Sequence, residues 1–418
     1  MSAPPRLWRA IGPGILFAGA AVGVSHLVQA TRAGAGYGLS LLAFVAVANL
    51  VKYPAFRFGP QYAAATGTSM LEGYRRQGIA ALWLYAALTV ATMFAVQAAV
   101  TFVTAGLALH LFGASANPVV VSAGLLFACG ALLGVGQYRW LDRVTKVAVA
   151  VFTVATLIAT IAAIGRGTLG GPWWPEFGAF GPADYLFLAA LVGWMPSAID
   201  VSIWQSLWTL ARAKDAGRPR VRDSVFDFHI GYVGTALLAL CFVVLGAAVL
   251  QGEAIPPQPA AFAGRLVDLY AVALGSWSRP VIATSAFLVM FSTTLTVADG
   301  FPRAISVLSA RFRGPEEPSE DRRGAYWIAM VVLGAGSLAI LALAVQSLKG
   351  LVDVATTASF LTAPLLATLN HRAITAKDVP EDGRPAPWLR RASLAGIAIQ
   401  GAFALLYVCA KLGGFFAT

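Results

Sequence analysis

Charge is scarce in this sequence. Of its 418 residues, 12% are Asp, Glu, Lys or Arg, whereas 58% are hydrophobic. A soluble globular domain carries roughly 25% charged residues. The shortage excludes a soluble globular protein and predicts an integral membrane protein that crosses the bilayer many times.

Catalytic and cofactor-binding signals are also missing. The three cysteines, Cys129, Cys241 and Cys409, lie within apolar runs, which is not the spacing of a disulfide framework or a metal site. The sequence has no Gly-rich phosphate loop, no nucleophile elbow and no pair of catalytic carboxylates. We therefore expect no enzyme activity and no cofactor.

The net charge of +11 does not indicate a nucleic-acid partner. The lysines and arginines lie in short loops between apolar runs, where such residues set membrane topology. The expected partners are the lipid bilayer and a small transported substrate, and no obligate protein partner is implied.

Eleven apolar runs are long enough to cross a bilayer, which takes about 20 residues. An amphipathic stretch, residues 260–274, is predicted to lie at the outer surface. The eleven runs cover residues 11–37, 40–64, 80–112, 117–137, 143–164, 183–211, 225–251, 281–303, 324–345, 351–372 and 391–413.

The positions of the basic residues support this count and give an orientation. With a cytoplasmic N-terminus, 22 of the 30 lysines and arginines fall on the inner side and six on the outer side, while Lys52 and Arg57 lie within the second run. One miscounted helix would remove the bias. The sequence predicts a protein of a bacterial-type inner membrane, with its C-terminus outside.

Two of the runs are interrupted near their middle. Residues 19–26 (GAAVGVSH) and residues 193–197 (GWMPS) are poor helix formers, and within these breaks Val24 and Pro196 each lie 13 residues into their runs. Non-helical backbone at membrane depth survives only when it is buried in protein or lines a cavity. Matched breaks in two halves indicate the binding site of a transporter.

The predicted fold is a single all-α transmembrane domain over residues 1–418, built as an inverted repeat of five plus five helices. The first repeat covers residues 11–164 and the second covers residues 183–372, with an additional helix at 391–413. With an odd number of spans in each repeat, the first and sixth spans run in opposite directions.

Several motifs resemble the NRAMP family of proton-coupled divalent-metal transporters, which have the LeuT-like fold with unwound first and sixth helices. Residues 12–14 (GPG) open the first span as that family does, and residues 34–42 (GAGYGLSLL) match its close. Residues 136–143 and the pair Met195-Pro196 also fall where the family has similar residues. The resemblance implies secondary active transport by alternating access.

The chain departs from that family at the metal site. Where the family has Asp-Pro-Gly-Asn, this chain has Gly23-Val24-Ser25-His26, and residues 197–202 (SAIDVS) lack the two histidines of the family's sixth span. Met195 alone matches a metal-binding position of the family. The sequence is similar to a divergent bacterial branch of NRAMP-related proteins.

A divalent metal such as Mn²⁺ or Fe²⁺ is the first substrate expected, on the strength of the resemblance. His26, Met195 and Asp200 are its predicted ligands, since imidazole and thioether suit transition metals, helped by the backbone carbonyls of Gly23 and Val192. Asp200 is either a ligand or the proton carrier, because an ionisable group within a span is a functional hypothesis by default.

Each of these assignments has a structural alternative. His26 could cap freed backbone groups, Met195 could fill the core, and Asp200 could form an ion pair with Lys52. An unpaired Lys52 would repel a metal ion.

A small organic or anionic solute, recognised by Ser25, His26, Ser197 and the half-helix N-termini, is the second substrate considered. Coupling could use H⁺ or Na⁺. By resemblance to LeuT-like folds, hydroxyls of the eighth span would hold Na⁺ with carbonyls of the first break; the alternative is bonding back to their own helix. The coupling and charge candidates are Lys52, Asp200, Ser292, Thr293, Thr294 and Asp299.

Overall fold

The computed structural model describes residues 12–135, 139–167, 169, 172–253, 256–315, 323–343 and 347–415, with side chains except those of residues 139–145, 215 and 216. This part of the chain is helical, without strands. Residues 136–138, which carry part of the NRAMP resemblance, lie outside the described residues.

The first span is broken where the sequence predicts it. Helix α1 (Pro13–Ala21) begins with a proline at its first position and ends before residues 22–24. A π-helical turn, Ser25–Ala30, then leads into α2 (Thr31–Tyr37). The two halves are bent by 44°. Proline suits a first helical position because its missing N–H has no partner there anyway.

The other helices occupy the predicted places. The first half continues with α3 (Leu42–Thr66), α4 (Met70–Gln77), α5 (Ile79–Phe112), α6 (Pro118–Val135) and α7 (Arg139–Gly165). The second contains α8 (Pro182–Gly193), α9 (Asp200–Ala216), α10 (Val221–Val249), α11 (Pro259–Leu274), α12 (Ser278–Arg311), α13 (Arg323–Leu343), α14 (Leu348–Ile374) and α15 (Pro387–Leu412).

Eight of the described helices are long and apolar enough to cross a membrane, or nine if the bent first pair is one span. The two remaining predicted spans are α3 and the interrupted pair α8 and α9. Helix α3 is less apolar because it carries Asn49, Lys52 and Gln61, all of which are buried inside the protein. Eleven crossings stay a prediction, with helices present at each predicted place.

Close backbone contacts hold both halves of the first span against α10. A Cβ on Gly14 would lie 2.0 Å from the carbonyl oxygen of Asp227, and one on Gly34 would lie 2.1 Å from that of Val243. Gly231 and Gly246 approach α1 and α2 equally closely from the α10 side. Small residues let membrane helices approach in this way, so α10 fixes the positions of both half-helices around the break.

Candidate functional site

A small cavity lies between the two breaks. Its volume is about 30 Å³, which is about the share of liquid volume of one water molecule. Among the described residues that line it, none carries a charge; the polar side chains are Ser25, Ser197, Thr293 and the indoles of Trp194 and Trp204. The other lining residues are Ala20, Ala21, Val24, Val96, Val100, Ala198, Val201, Val297 and Phe301.

The wall formed by Trp204 carries an available hydrogen-bond donor. This side chain is 2% exposed, and its Nε1–H has no partner. Its ring packs edge-on against Phe301 at a centroid distance of 4.7 Å. A Cβ on Gly300 would lie 2.6 Å from the ring, so a glycine is needed there to leave room for the indole.

Thr293 of α12 provides a hydrogen-bond donor for the free backbone carbonyls at the first break. Its Oγ1 donates to the carbonyl oxygens of Gly19, at 2.8 Å, and Val22, at 3.2 Å. These carbonyls belong to the end of α1, where a helix leaves acceptors without a partner. A Cβ on Gly23 would come within 2.9 Å of the Thr293 methyl group. Gly23 therefore allows this close contact between α12 and the break.

His26 points away from the cavity and is fully buried. Its Nε2 lies 2.8 Å from the carbonyl oxygen of Thr235 in α10, so it is the nitrogen that donates. Its Nδ1 lies 2.8 Å from Ser25 Oγ, which is also 2.7 Å from the Ala21 carbonyl. Both ring nitrogens are engaged within the protein, and neither faces the place where a metal was expected.

The second break is held by α3 and α14. A Cβ on Gly193 would lie 2.1 Å from the carbonyl oxygen of Thr356, so this end of α8 touches the α14 backbone. Trp194 Nε1 donates to Ser359 Oγ at 2.7 Å. From the α3 side, Lys52 Nζ donates to the carbonyls of Val192 and Gly193 at 2.6 and 2.7 Å.

Lys52 and Asp200 are not an ion pair, although both are buried, at 1% and 2% exposure. Lys52 instead donates a hydrogen bond to the Val192 carbonyl, which was predicted from the sequence to bind a metal ion. Asp200 begins α9, and its Oδ1 has no hydrogen-bond partner. Neither Asp200 nor Met195, which is fully buried in the break, lines the cavity. The unwound turn does not bring His26, Met195 and Asp200 to one cavity wall.

The remaining coupling candidates divide into two groups. Thr293 Oγ1 lies near the first-break carbonyls and also 3.1 Å from the Val289 carbonyl of its own helix, so both arrangements considered for it occur. Ser292 faces the same half-helix, since its Oγ would lie 3.6 Å from a Cβ on Gly19. Thr294 points elsewhere, towards Thr104 Oγ1 at 2.7 Å. Asp299 accepts hydrogen bonds from Arg303 and from Tyr326, so it belongs to a local ion-pair cluster.

No group of three or more His, Cys, Asp or Glu side chains that could hold a metal ion occurs in the part of the chain that the structure describes. The polar groups that line the cavity are hydroxyls and indole N–H groups, and the nearby carbonyls of Val22 and Val192 already accept hydrogen bonds from Thr293 and Lys52. Such a set is poorly matched to Mn²⁺ or Fe²⁺, which bind imidazole and carboxylate ligands.

A larger vestibule of about 870 Å³ opens at the α2 and α8 end of the molecule. An ion pair lies in its wall: Arg32 donates to Asp353 through both terminal nitrogens, at 2.6 and 3.2 Å. Gln29 accepts from the same arginine, at 2.8 Å, and Phe187 lies 4.7 Å below the guanidinium. This cluster links α2, α8 and α14.

The opposite end is closed by other charged groups. Asp227 of α10 accepts from the backbone N–H groups of Gly12 and Gly14, and so caps the start of α1. Glu72 of α4 is paired with Arg75, Arg76 and the buried Arg311. These contacts join α1 to α10 and α4 to α12 at this end of the molecule.

The aromatic wall of the cavity was not predicted from the sequence. Trp204 lies four residues after Asp200 and seven residues before the end of the run at 183–211. Its closeness to the second break was the available signal. No comparable signal marked Val96, Val100 or Val297, since valine is common in any apolar span.

No family model matches the sequence. A curated protein of Pasteurella multocida (strain Pm70), named only as uncharacterized, is 33% identical over 417 residues, which cover 97% of this chain and 93% of that protein.

Solved transporter structures resemble this fold. The Eremococcus coleocola manganese transporter, in complex with an aromatic bis-isothiourea substituted compound, has a TM-score of 0.71 over 98% of this chain and 88% of its own, at 15% identity. MhsT in complex with L-phenylalanine has a TM-score of 0.64 over 94% of this chain and 96% of its own, at 14% identity. The fold is therefore of the LeuT type, as predicted, while membership of the NRAMP family stays a prediction.

Proposed function

This chain belongs to the same family as the Pasteurella multocida protein, and we propose that it is a secondary active transporter of a small organic solute without net charge. The observation that carries the proposal is the chemical character of the central cavity's lining. At about 30 Å³ the cavity has room only for water in this conformation and must widen to bind a solute, since sites for small molecules measure about 300–1,000 Å³. The lining combines alanines, valines and three aromatic rings with hydroxyl and indole groups, and none of its described residues carries a charge. Sites for small molecules are typically apolar, with a few polar groups that fix orientation.

The polar groups of the lining give the solute an orientation. Ser25 begins the second half of the first broken span, at a helix end that carries partial positive charge, although the N–H groups of His26 and Leu27 already donate to the Gly23 carbonyl. A carbonyl or carboxylate oxygen of the solute would be held at this positive end. The apolar remainder would lie against Trp194, Trp204 and Phe301. A zwitterion with compensating charges fits the same description.

A divalent metal ion suits this cavity less well. Both nitrogens of His26 are engaged, Met195 and Asp200 do not line the cavity, and the Lys52 ammonium occupies the Val192 carbonyl. A buried charge without a partner is costly in a low-dielectric interior. We therefore place the solute ahead of the metal.

Alternating access would connect the closed cavity to each end of the molecule in turn. Opening on the vestibule side would separate Arg32 from Asp353, and opening on the other side would separate the Glu72 and Asp227 clusters from their partners. We assign the coupling proton to Asp200, because its Oδ1 is buried without a hydrogen bond and charged groups within membrane spans commonly serve proton relays.

The test is a thermal-stability screen of the purified protein against neutral, zwitterionic and anionic solutes, alongside Mn²⁺. A ligand that binds the folded state raises the melting temperature. We expect a stabilising neutral or zwitterionic solute, and we expect its effect to fall at least tenfold in apparent affinity in Trp204→Ala and Ser197→Ala. Val47→Ala, at an exposed position of α3, is the matched control and should bind as the wild type does.

Titration calorimetry with Mn²⁺ tests the alternative that the substrate is a metal ion. Saturable binding to the wild type that is lost in both His26→Ala and Asp200→Ala would establish a metal site and contradict the proposal. For a solute found in the screen, Asp200→Asn should abolish concentrative uptake into proteoliposomes and keep solute exchange, with Asp268→Asn at the surface as its control.

A further inference from the structure

The carbonyl end of α8 binds a cation that belongs to the protein itself. Val192 and Gly193 are the last residues of this half-helix, and their oxygens lie 2.6 and 2.7 Å from Lys52 Nζ. The end of a helix carries a partial negative charge, with carbonyl oxygens that lack intrahelical partners. Such an end is a natural place for a cation in the interior of a membrane protein.

Lys52 has no carboxylate to neutralise it at short range. Among the residues that the structure describes, no Asp or Glu oxygen lies within 4.0 Å of its Nζ, although the side chain is only 1% exposed. The two helix-end carbonyls are therefore its main electrostatic partners. The interaction is that of an ion with its carbonyl ligands rather than that of an ion pair.

The first break, by comparison, has no lysine beside its free carbonyls in the part of the chain that the structure describes. There the carbonyls of Gly19 and Val22 are satisfied by the neutral hydroxyl of Thr293. At the second break, Gly193 lies against the α14 backbone and Trp194 is bound to Ser359, so the carbonyls point towards α3 in a fixed arrangement. The arrangement would remain if the lysine side chain were shortened.

We infer that the Lys52 ammonium is a resident cation that fills a monovalent-cation site at the carbonyl end of α8. The protein therefore needs no Na⁺ or K⁺ at this place, and removing the ammonium turns the same carbonyls into a site that takes a cation from solution. This inference does not rest on the nature of the transported solute.

The test compares Lys52→Ala with Lys52→Met in the full-length protein, purified in Na⁺-free and K⁺-free buffer. The alanine variant leaves space for a cation beside the carbonyls, whereas the methionine variant fills that space with an uncharged chain. Arg57→Ala is the matched control, because Arg57 lies on the same helix but donates to Gln61 and Tyr53. The probes are NaCl, KCl and n-butylammonium chloride, each against choline chloride at equal ionic strength.

We expect Na⁺, K⁺ or n-butylammonium to raise the melting temperature of Lys52→Ala by about 2 °C or more, the shift that one kcal/mol of binding gives in a large domain. The wild type, Lys52→Met and Arg57→Ala should not respond. n-Butylammonium restores the missing group, a readout that a purely structural role of the side chain would not produce.

A folded Lys52→Ala protein that responds to none of the three cations would overturn the inference. If that variant does not fold in cation-free buffer, its purification is repeated in each of the three salts. Recovery of monodisperse protein in one or more of them, and not in choline, supports the inference, and failure in all of them contradicts it.

Discussion

Individual polar side chains decide how the broken spans are stabilised. In each break a side chain from another helix donates to carbonyls that the interrupted helix leaves free: Thr293 in the first and Lys52 in the second. His26 likewise binds the α10 backbone through Thr235. An unsatisfied buried polar group costs about 1–3 kcal/mol. These residues therefore stabilise the fold whether or not they bind a substrate.

Replacement of His26 tests whether its imidazole stabilises the fold or binds the substrate. His26→Ala removes the buried imidazole that joins Ser25 to the Thr235 carbonyl, while Ser25 keeps its bond to the Ala21 carbonyl. We expect the free energy of unfolding to fall by about 1–3 kcal/mol. Binding of a stabilising solute should be unchanged, because the ring does not line the cavity. Thermal unfolding and ligand titration measure the two effects separately.

The control for His26 is His110→Ala, at the last turn of α5, which should cost much less. A His26→Ala protein of wild-type stability that no longer binds solute or Mn²⁺ would instead identify the imidazole as a ligand.

At the scale of elements, α10 positions both halves of the first broken span. Its glycines contact α1 and α2 backbone to backbone, and its Thr235 carbonyl binds His26 between them. Neither half-helix is long enough to be stable by itself, since short helices depend on tertiary packing. The geometry of the break therefore depends on how closely α10 can approach.

Two glycines of α10 test this point. A Cβ at Gly246 would lie 2.3 Å from the Thr31 carbonyl oxygen, whereas nothing lies within 4 Å of one at Gly234. We expect Gly246→Ala to lower the free energy of unfolding by about 1–3 kcal/mol through overpacking. Gly234→Ala should be neutral or slightly stabilising, because alanine favours the helix.

Thermal unfolding in detergent compares these two variants directly. Equal stabilities would show that α2 and α10 can separate without cost, and the role given to α10 would then be wrong.

On the scale of the whole molecule, charged clusters lie towards both ends, on either side of the central cavity. The Arg32–Asp353 pair lies at the vestibule end of the molecule. The Glu72 and Asp227 clusters lie at the opposite end. The pair is partly buried, with Arg32 7% and Asp353 30% exposed. Its loss should favour the conformation that is open to the vestibule.

We expect Asp353→Asn to shift this equilibrium by about 1–2 kcal/mol, which corresponds to a factor of roughly five to thirty. The measurement is the rate at which a hydrophilic thiol reagent labels Ser197→Cys at the cavity wall, in a Cys409→Ser background that removes the exposed native thiol. The labelling rate should rise by that factor.

Glu253→Gln is the control for this measurement. Glu253 also lines the vestibule, but its partner is Arg265 at the surface, and both are exposed. An Asp353→Asn rate equal to that of the control would show that the pair does not hold the cavity closed.

The helices and the places of the two breaks were predictable from the sequence alone. Long apolar runs are unambiguous because the bilayer requires about 20 such residues, and glycine, proline and polar residues within them weaken the helix locally. The all-helical LeuT-type fold followed from these features and from the motifs at residues 12–14 and 34–42. The orientation in the membrane and the division into repeats stay predictions.

Only the tertiary structure decided what the residues at the breaks do. Helical periodicity does not carry across an unwound turn, so the directions of His26, Met195 and Asp200 were not fixed by their spacing. Their partners are also distant in sequence: Lys52 binds a carbonyl 140 residues away, and His26 binds one 209 residues away. Such contacts arise from helix packing, which local sequence does not encode.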